Sequence, residues 1–173
     1  KLEYYDGNQW VSITTTSINQ HTNGARGFIL GGRFANSSST DRIERHQIST
    51  TGNGVDFGNL ANTATALKAN TSDRSRLCTF GDYNSPDTTM VNSIEFITMA
   101  SDGDATDFGD MSQGAYSSQP VSSSTRGVYI GGTNVYNSVS GTFNNIEYIT
   151  IQSTGNSQDF GDMSQKTSTG QAF

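Results

Sequence analysis

Arginine, glutamate and aspartate recur in this chain with a near-constant period. Arg26, Arg76 and Arg126 stand 50 residues apart, Glu44, Glu95 and Glu147 follow them, and Asp56, Asp107 and Asp159 come next. Three guanidinium groups around one axis could hold an anionic ligand, and three carboxylates could share general acid and base work. Residues repeated identically along one chain, however, serve packing between repeats, whereas an active site needs different groups converging on one reacting atom. Each Arg is therefore expected to hold a fixed acceptor, either the periodic Asp or a backbone carbonyl, and no catalytic residue is assigned. Asp102, Asp104 and Asp107 offer oxygen ligands for a calcium ion. Their counterparts Thr51, Asn53, Asp56 and Thr154, Asn156, Asp159 make the segment a hairpin turn of varying sequence instead. His21, His46 and the lone Cys78 have neither zinc-ligand spacing nor a nucleophile partner, so no metal or cofactor is expected. Asn36-Ser-Ser and Asn70-Thr-Ser fit a glycosylation pattern that chance supplies in so polar a chain.

Ser, Thr, Asn and Gly make up nearly half of the 173 residues, the charged fraction is 15%, and the net charge is −6. Leu, Ile, Val and Phe make up just under a fifth of the residues, a share that goes with disorder in a highly charged chain, but here they arrive in short bursts of β-formers with only two prolines. That pattern predicts an ordered all-β chain. No basic cluster exceeds Arg74-Ser-Arg76, which argues against nucleic acid and anionic membrane as partners. The apolar runs are a few residues long, far short of the ~20 a spanning helix needs, so membrane insertion is not expected. The chain opens Lys1-Leu-Glu-Tyr, neither a signal peptide nor an initiator Met, and so reads as processed, trimmed or part of something longer.

The elements that must carry these residues are themselves repeated. Arg26-Gly-Phe-Ile-Leu-Gly-Gly32, Arg76-Leu-Cys-Thr-Phe-Gly-Asp82 and Arg126-Gly-Val-Tyr-Ile-Gly-Gly132 form one block. Arg42-Ile-Glu-Arg-His-Gln-Ile48, Ser93-Ile-Glu-Phe-Ile-Thr-Met99 and Asn145-Ile-Glu-Tyr-Ile-Thr-Ile151 form the second, and Asp56-Phe-Gly-Asn-Leu60, Asp107-Phe-Gly-Asp-Met111 and Asp159-Phe-Gly-Asp-Met163 the third. Each block reads as a strand, with glycines ending the first. Polar loops of varying sequence, 33–41, 83–92 and 133–144, separate first from second, and the turns at Gly52, Gly103 and Gly155 separate second from third. A weaker Ser/Thr-rich strand before each Arg brings the unit to four strands in about 50 residues, the size of a kelch-class β-propeller blade.

The residues resemble kelch repeats: Gly31-Gly32 and Gly131-Gly132 look like the kelch di-glycine, Tyr148 like the third-strand aromatic, and Phe57, Phe108 and Phe160 stand where kelch has Trp. Gly81-Asp82 departs from the di-glycine. The phrases Ser123-Ser-Thr-Arg-Gly-Val-Tyr-Ile-Gly-Gly132, Ile146 to Asn156 and Asp159-Phe-Gly-Asp162 are also similar to the tandem repeats of virion structural and tail-fibre proteins from phages of marine cyanobacteria. The lead-in Leu2-Glu-Tyr-Tyr-Asp-Gly-Asn-Gln-Trp-Val-Ser12 resembles the segment preceding such repeats. The resemblance spans nearly the whole chain and implies an architectural particle component, located in the virion, with no catalytic residues to carry over.

The expected organisation is a lead-in over 1–15, then kelch-like repeats over 16–173, with blades near 16–60, 61–112 and 113–164 and the start of another, and at most one strand supplied before Arg26. Ile146 and Phe160 are expected in the core, each costing about 2 to 5 kcal/mol on change to Ala. The loops after the first blocks carry Phe34, Tyr83, Tyr136 and Phe143 among Asn, Ser and Asp, a composition suited to stacking on sugar rings. Their partners would be host-surface glycan or other virion proteins. A capsid-decoration role is an alternative, and a carbohydrate-active propeller enzyme a different class, though the Tyr/His metal set and the Arg triad such enzymes use are missing from the pattern. Three blades leave two faces bare, so the chain is expected to be completed by further repeats or by copies of itself. Arg45-His46, where other repeats have Phe96-Ile97 and Tyr148-Ile149, is expected to make the first blade polar at such a seam.

Overall fold

The structure is a computed structural model that describes residues 2–5, 7–13, 26–35, 38–64, 68–84, 89–134 and 141–167. Strands β1 (Leu2–Tyr5) and β2 (Trp10–Ile13) pair as an antiparallel hairpin, with Tyr5 opposite Trp10. The lead-in thus holds two strands rather than one, because Gly7 takes a φ of +98° in the connection and lets the chain reverse. The strands β3 (Arg26–Arg33), β4 (Ser39–Gln47) and β5 (Val55–Ala64) form a three-stranded sheet. Two four-stranded sheets follow. One is β6 (Ala69–Ser72), β7 (Arg76–Asn84), β8 (Thr89–Thr98) and β9 (Thr106–Asp110); the other is β10 (Gln119–Ser122), β11 (Arg126–Ile130), β12 (Asn145–Thr150) and β13 (Gln158–Asp162). All are antiparallel meanders in chain order. The strand expected before Arg26 falls at 14–25, outside the described residues.

The same irregularity recurs in each sheet. Ile43 pairs Gly58 and Glu44 pairs Asp56, so Phe57 is the extra residue of a bulge; Phe108 and Phe160 occupy the same place opposite Ile94/Glu95 and Ile146/Glu147. A bulge re-aims its side chain, and each Phe meets an aromatic ring of its own sheet: Phe28 for Phe57, Phe96 for Phe108 and Tyr148 for Phe160. The glycine after Phe108 is needed twice over. Gly109 has φ +144°, and a Cβ there would run into the carbonyl of Gly155 in the next sheet.

The sheets stack face to face. Ile43, Phe57 and Leu60 of the first pack with Ile97 of the second, and Cys78, Phe80, Ile94, Phe108 and Met111 of the second pack with Tyr129, Ile149 and Ile151 of the third. Burial pushes the Cys78 thiol up to about 12, in keeping with a small core side chain. The near-continuous Ile-Glu-x-Ile-Thr-Ile run follows from this: alternate residues face opposite neighbours, and both neighbours are protein. The outermost faces lack such cover. Phe108 is 2% exposed but Phe160 is 56% exposed, and Ile146 is half-buried where Ile43 and Ile94 are buried. Core status for Phe160 and Ile146 is therefore corrected. Their counterparts Phe57, Phe108, Ile43 and Ile94 hold it, because each of those has a following sheet on top of it.

Candidate functional site

The described loop aromatics, Phe34, Tyr83 and Phe143, do not assemble into a platform. Phe34 is 57% exposed, beside a turn closed by its own amide donating to the Ser38 carbonyl at 2.8 Å. Tyr83 is buried, on β7 rather than in a loop, with its ring 6.1 Å from that of Tyr116. Phe143 is half-buried against the core between the second and third sheets, and Tyr136 lies outside the described residues. The reason is that pairing resumes beyond the glycine block. Gly31 and Gly81 sit at register shifts, after which Gly32 pairs Thr40 and Asp82 pairs Val91. The glycines are bulges within a longer strand in the first two repeats, not strand ends.

The periodic polar residues do come together, at the junctions between sheets. The Arg26 Nη1 donates to the Met99 carbonyl of the second sheet at 2.7 Å, and the Arg76 Nη1 to the Ile151 carbonyl of the third at 3.2 Å. Of the two acceptors open to Arg26 and Arg76, the carbonyl is the one used. The periodic aspartates serve locally, Asp56 near Arg42 at 3.5 Å and Asp159 accepting from the Gly161 amide at 3.1 Å. The guanidinium of Arg76 lies 4.4 Å from the Phe96 ring centre and that of Arg126 4.6 Å from Tyr148, a cation–π stack that fixes the group for its reach. The first sheet has Arg45 at the aromatic position. Arg45 instead makes a two-pronged pair with Asp102 of the second sheet, at 2.9 and 3.1 Å, so it faces inward to its neighbour rather than a seam. That pair, and the Asp104 carboxylate accepting from the Asn59 amide at 2.8 Å, engage two of the three carboxylates weighed as calcium ligands. Among the described residues no three His, Cys, Asp or Glu side chains gather as a ligand set.

Glu147 is the most deeply committed of the periodic groups. It is buried and accepts from the Ser112 amide at 3.2 Å, the Asn145 Nδ2 at 2.8 Å, and the hydroxyls of Ser112 and Ser157. Burial alone would raise its carboxyl, but the serine hydrogen bonds outweigh burial and hold it below the usual 4.5. Tyr129 lies against it with burial raising the phenol. A Tyr beside a Glu is a nucleophile pair in some glycosidases, yet here both are enclosed between sheets. Glu95 repeats the role one sheet earlier, accepting from the Ala61 amide at 3.2 Å and the Asn62 Nδ2 at 3.2 Å. Sequence reasoning placed these glutamates in packing without finding their donors, since a backbone amide leaves no trace in residue type.

No family model and no curated protein matches the chain. Among solved structures it is similar to one described as "Structure of YjhT", with a TM-score of 0.64 and 8% identity over 82% of this chain. YjhT is a β-propeller-like protein of the kelch kind. The fold is that of β-propeller blades. The chain spans 50% of the YjhT chain, and the three stacked sheets are its blades, each joined to the next through the periodic Arg, Glu and turn residues.

Proposed function

We propose that this chain is a non-enzymatic structural component of a phage particle, a propeller module of a tail fibre or surface appendage that presents its blade ends to host-surface glycan or to another particle protein. The observation that carries the reading is the use of the repeated residues. The same Arg, Glu, Phe-Gly and turn positions that could have suggested chemistry are engaged in blade-to-blade bonds, as befits a load-carrying frame. The likeness of the repeats and of the Tyr-Asp-Gly-x-x-Trp lead-in to cyanophage virion proteins supplies the particle. Phe34, exposed on the blade-end turn, is the aromatic best placed for contact with a partner.

Immunogold labelling of purified virions with antibody against this chain tests the reading. Label on fibres or tail is the expected result. Label on the capsid shell would give the decoration role instead, and absence of the chain from every particle fraction would overturn the viral reading altogether.

A further inference from the structure

The two internal joints between blades are built from one set of bonds. At the first joint the Gly103 amide donates to the Phe57 carbonyl at 2.7 Å, Ala105 to Asn59 at 2.8 Å, and the Asn59 amide to the Asp104 Oδ1 at 2.8 Å. At the second, Gly155 donates to Phe108 at 2.7 Å, Ser157 to Asp110 at 2.9 Å, and the Asp110 amide to the Asn156 Oδ1 at 3.0 Å. The Arg-to-carbonyl and amide-to-Glu bonds complete the set of five. Each joint thus mates a trailing face, bearing Arg and Phe-Gly-x-x-Ser or its equivalent, with a leading face bearing Glu, the apolar carbonyl and the Gly turn.

Both kinds of face are also present at the ends. The third blade's trailing face carries Arg126, Phe160, Asp162 and Ser164, and the first blade's leading face carries Glu44, Ile48 and Gly52-Asn-Gly54, with the Phe-to-Ser and Glu-to-Gly spacings of the joined sets unchanged. Ile48 is 64% exposed where Met99 and Ile151 are buried. A Cβ at Gly161 would meet nothing, whereas at Gly58 and Gly109 it would meet the next blade's turn. A hollow of about 560 Å³ on the leading face is lined by Ile29, Glu44, His46, Ile48, Gly52 and Gly54, the place where a preceding blade would seat.

Independently of any position on a particle, we infer that the trailing face of blade three docks on the leading face of blade one in a second copy of this chain, and that two copies close a six-bladed ring. The bonds are Arg126 to the Ile48 carbonyl, Gly52 and Gly54 amides to the Phe160 and Asp162 carbonyls, the Asp162 amide to Asn53, and the Ser164 amide and hydroxyl to Glu44. Head-to-tail contacts form a ring only when the rotation closes. Propellers close with about four to eight blades, a range that the three described blades reach when two sets combine.

Light scattering on the chromatographed 173-residue chain, from low to high micromolar concentration, tests this. A mass of twice 18.5 kDa is expected. Ile48→Asp, changing a side chain exposed in the single chain, halves the mass while leaving the circular dichroism spectrum unchanged. Ser164→Asp, which sets a carboxylate against Glu44, does the same, and Glu44→Lys added to Ser164→Asp restores the pair. A mass of 18.5 kDa at every concentration, or a pair indifferent to these changes, would overturn the inference; the single-chain mass would leave further repeats of the same polypeptide as the source of the missing blades.

Discussion

Phe108→Ala is expected to destabilise the chain by about 3–5 kcal/mol, the range for removing a buried aromatic and leaving a cavity. Phe108 is buried in the core between blades two and three and packs on Phe96. Phe57→Ala belongs in the same range, since Phe57 is buried between blades one and two. Phe160→Ala is different in kind: in the single chain the side chain is more than half exposed, so its removal lowers association rather than the unfolding free energy of a dilute chain. Urea unfolding of the three variants at low concentration checks this. Equal losses for all three would mean that the third blade's face is covered within one chain, contrary to the stack described.

Glu147→Ala is expected to cost about 1.5–3 kcal/mol, the range for losing hydrogen bonds to a charged group. It takes their acceptor from the Ser112 amide, the Ser112 and Ser157 hydroxyls and the Asn145 amide group, which lie part-buried at the joint. The same carboxyl makes the joint acid-sensitive. Its pKa in the folded chain lies below the unfolded value near 4.5, so its stabilisation is fully present above that value and is lost as pH falls through the folded pKa. Melting temperature should therefore hold from neutral pH to about pH 5 and decline below it, with Glu147→Gln flattening part of the decline. A Glu147→Ala variant that melts with the parent at pH 7 would remove the carboxylate from the joint.

The strands were legible because their signals are local. The Arg-x-apolar-apolar-apolar-Gly, Ile-Glu and Asp-Phe-Gly blocks fall on β3, β7 and β11, on β4, β8 and β12, and on β5, β9 and β13. The position of Tyr83 was not legible, because a glycine in a strand ends it or bulges it according to whether the partner strand continues, and Asp82 pairing Val91 is a tertiary fact. The acceptor of each Arg escaped for a similar reason. The periodic Asp was visible in the sequence, while the carbonyls of Met99 and Ile151 belong to positions whose side chains say only that they are apolar. Arg45 was read as a seam residue from its polarity alone. Strand alternation puts it on the face toward blade two with Asp102, and leaves its neighbour His46 on the open leading face.

The turn after each second block locks onto the preceding blade. Hydrogen exchange of the Gly103, Ala105, Gly155 and Ser157 amides tests it most directly, because these amides sit in turns yet donate across a joint at 2.7 to 2.9 Å. They are expected to exchange only with cooperative unfolding, at the rate of the Ile94 and Ile149 amides inside the blades. Exchange at the rate of an open turn, with the strand amides still protected, would contradict the joint and with it the assignment of the repeated residues to blade packing.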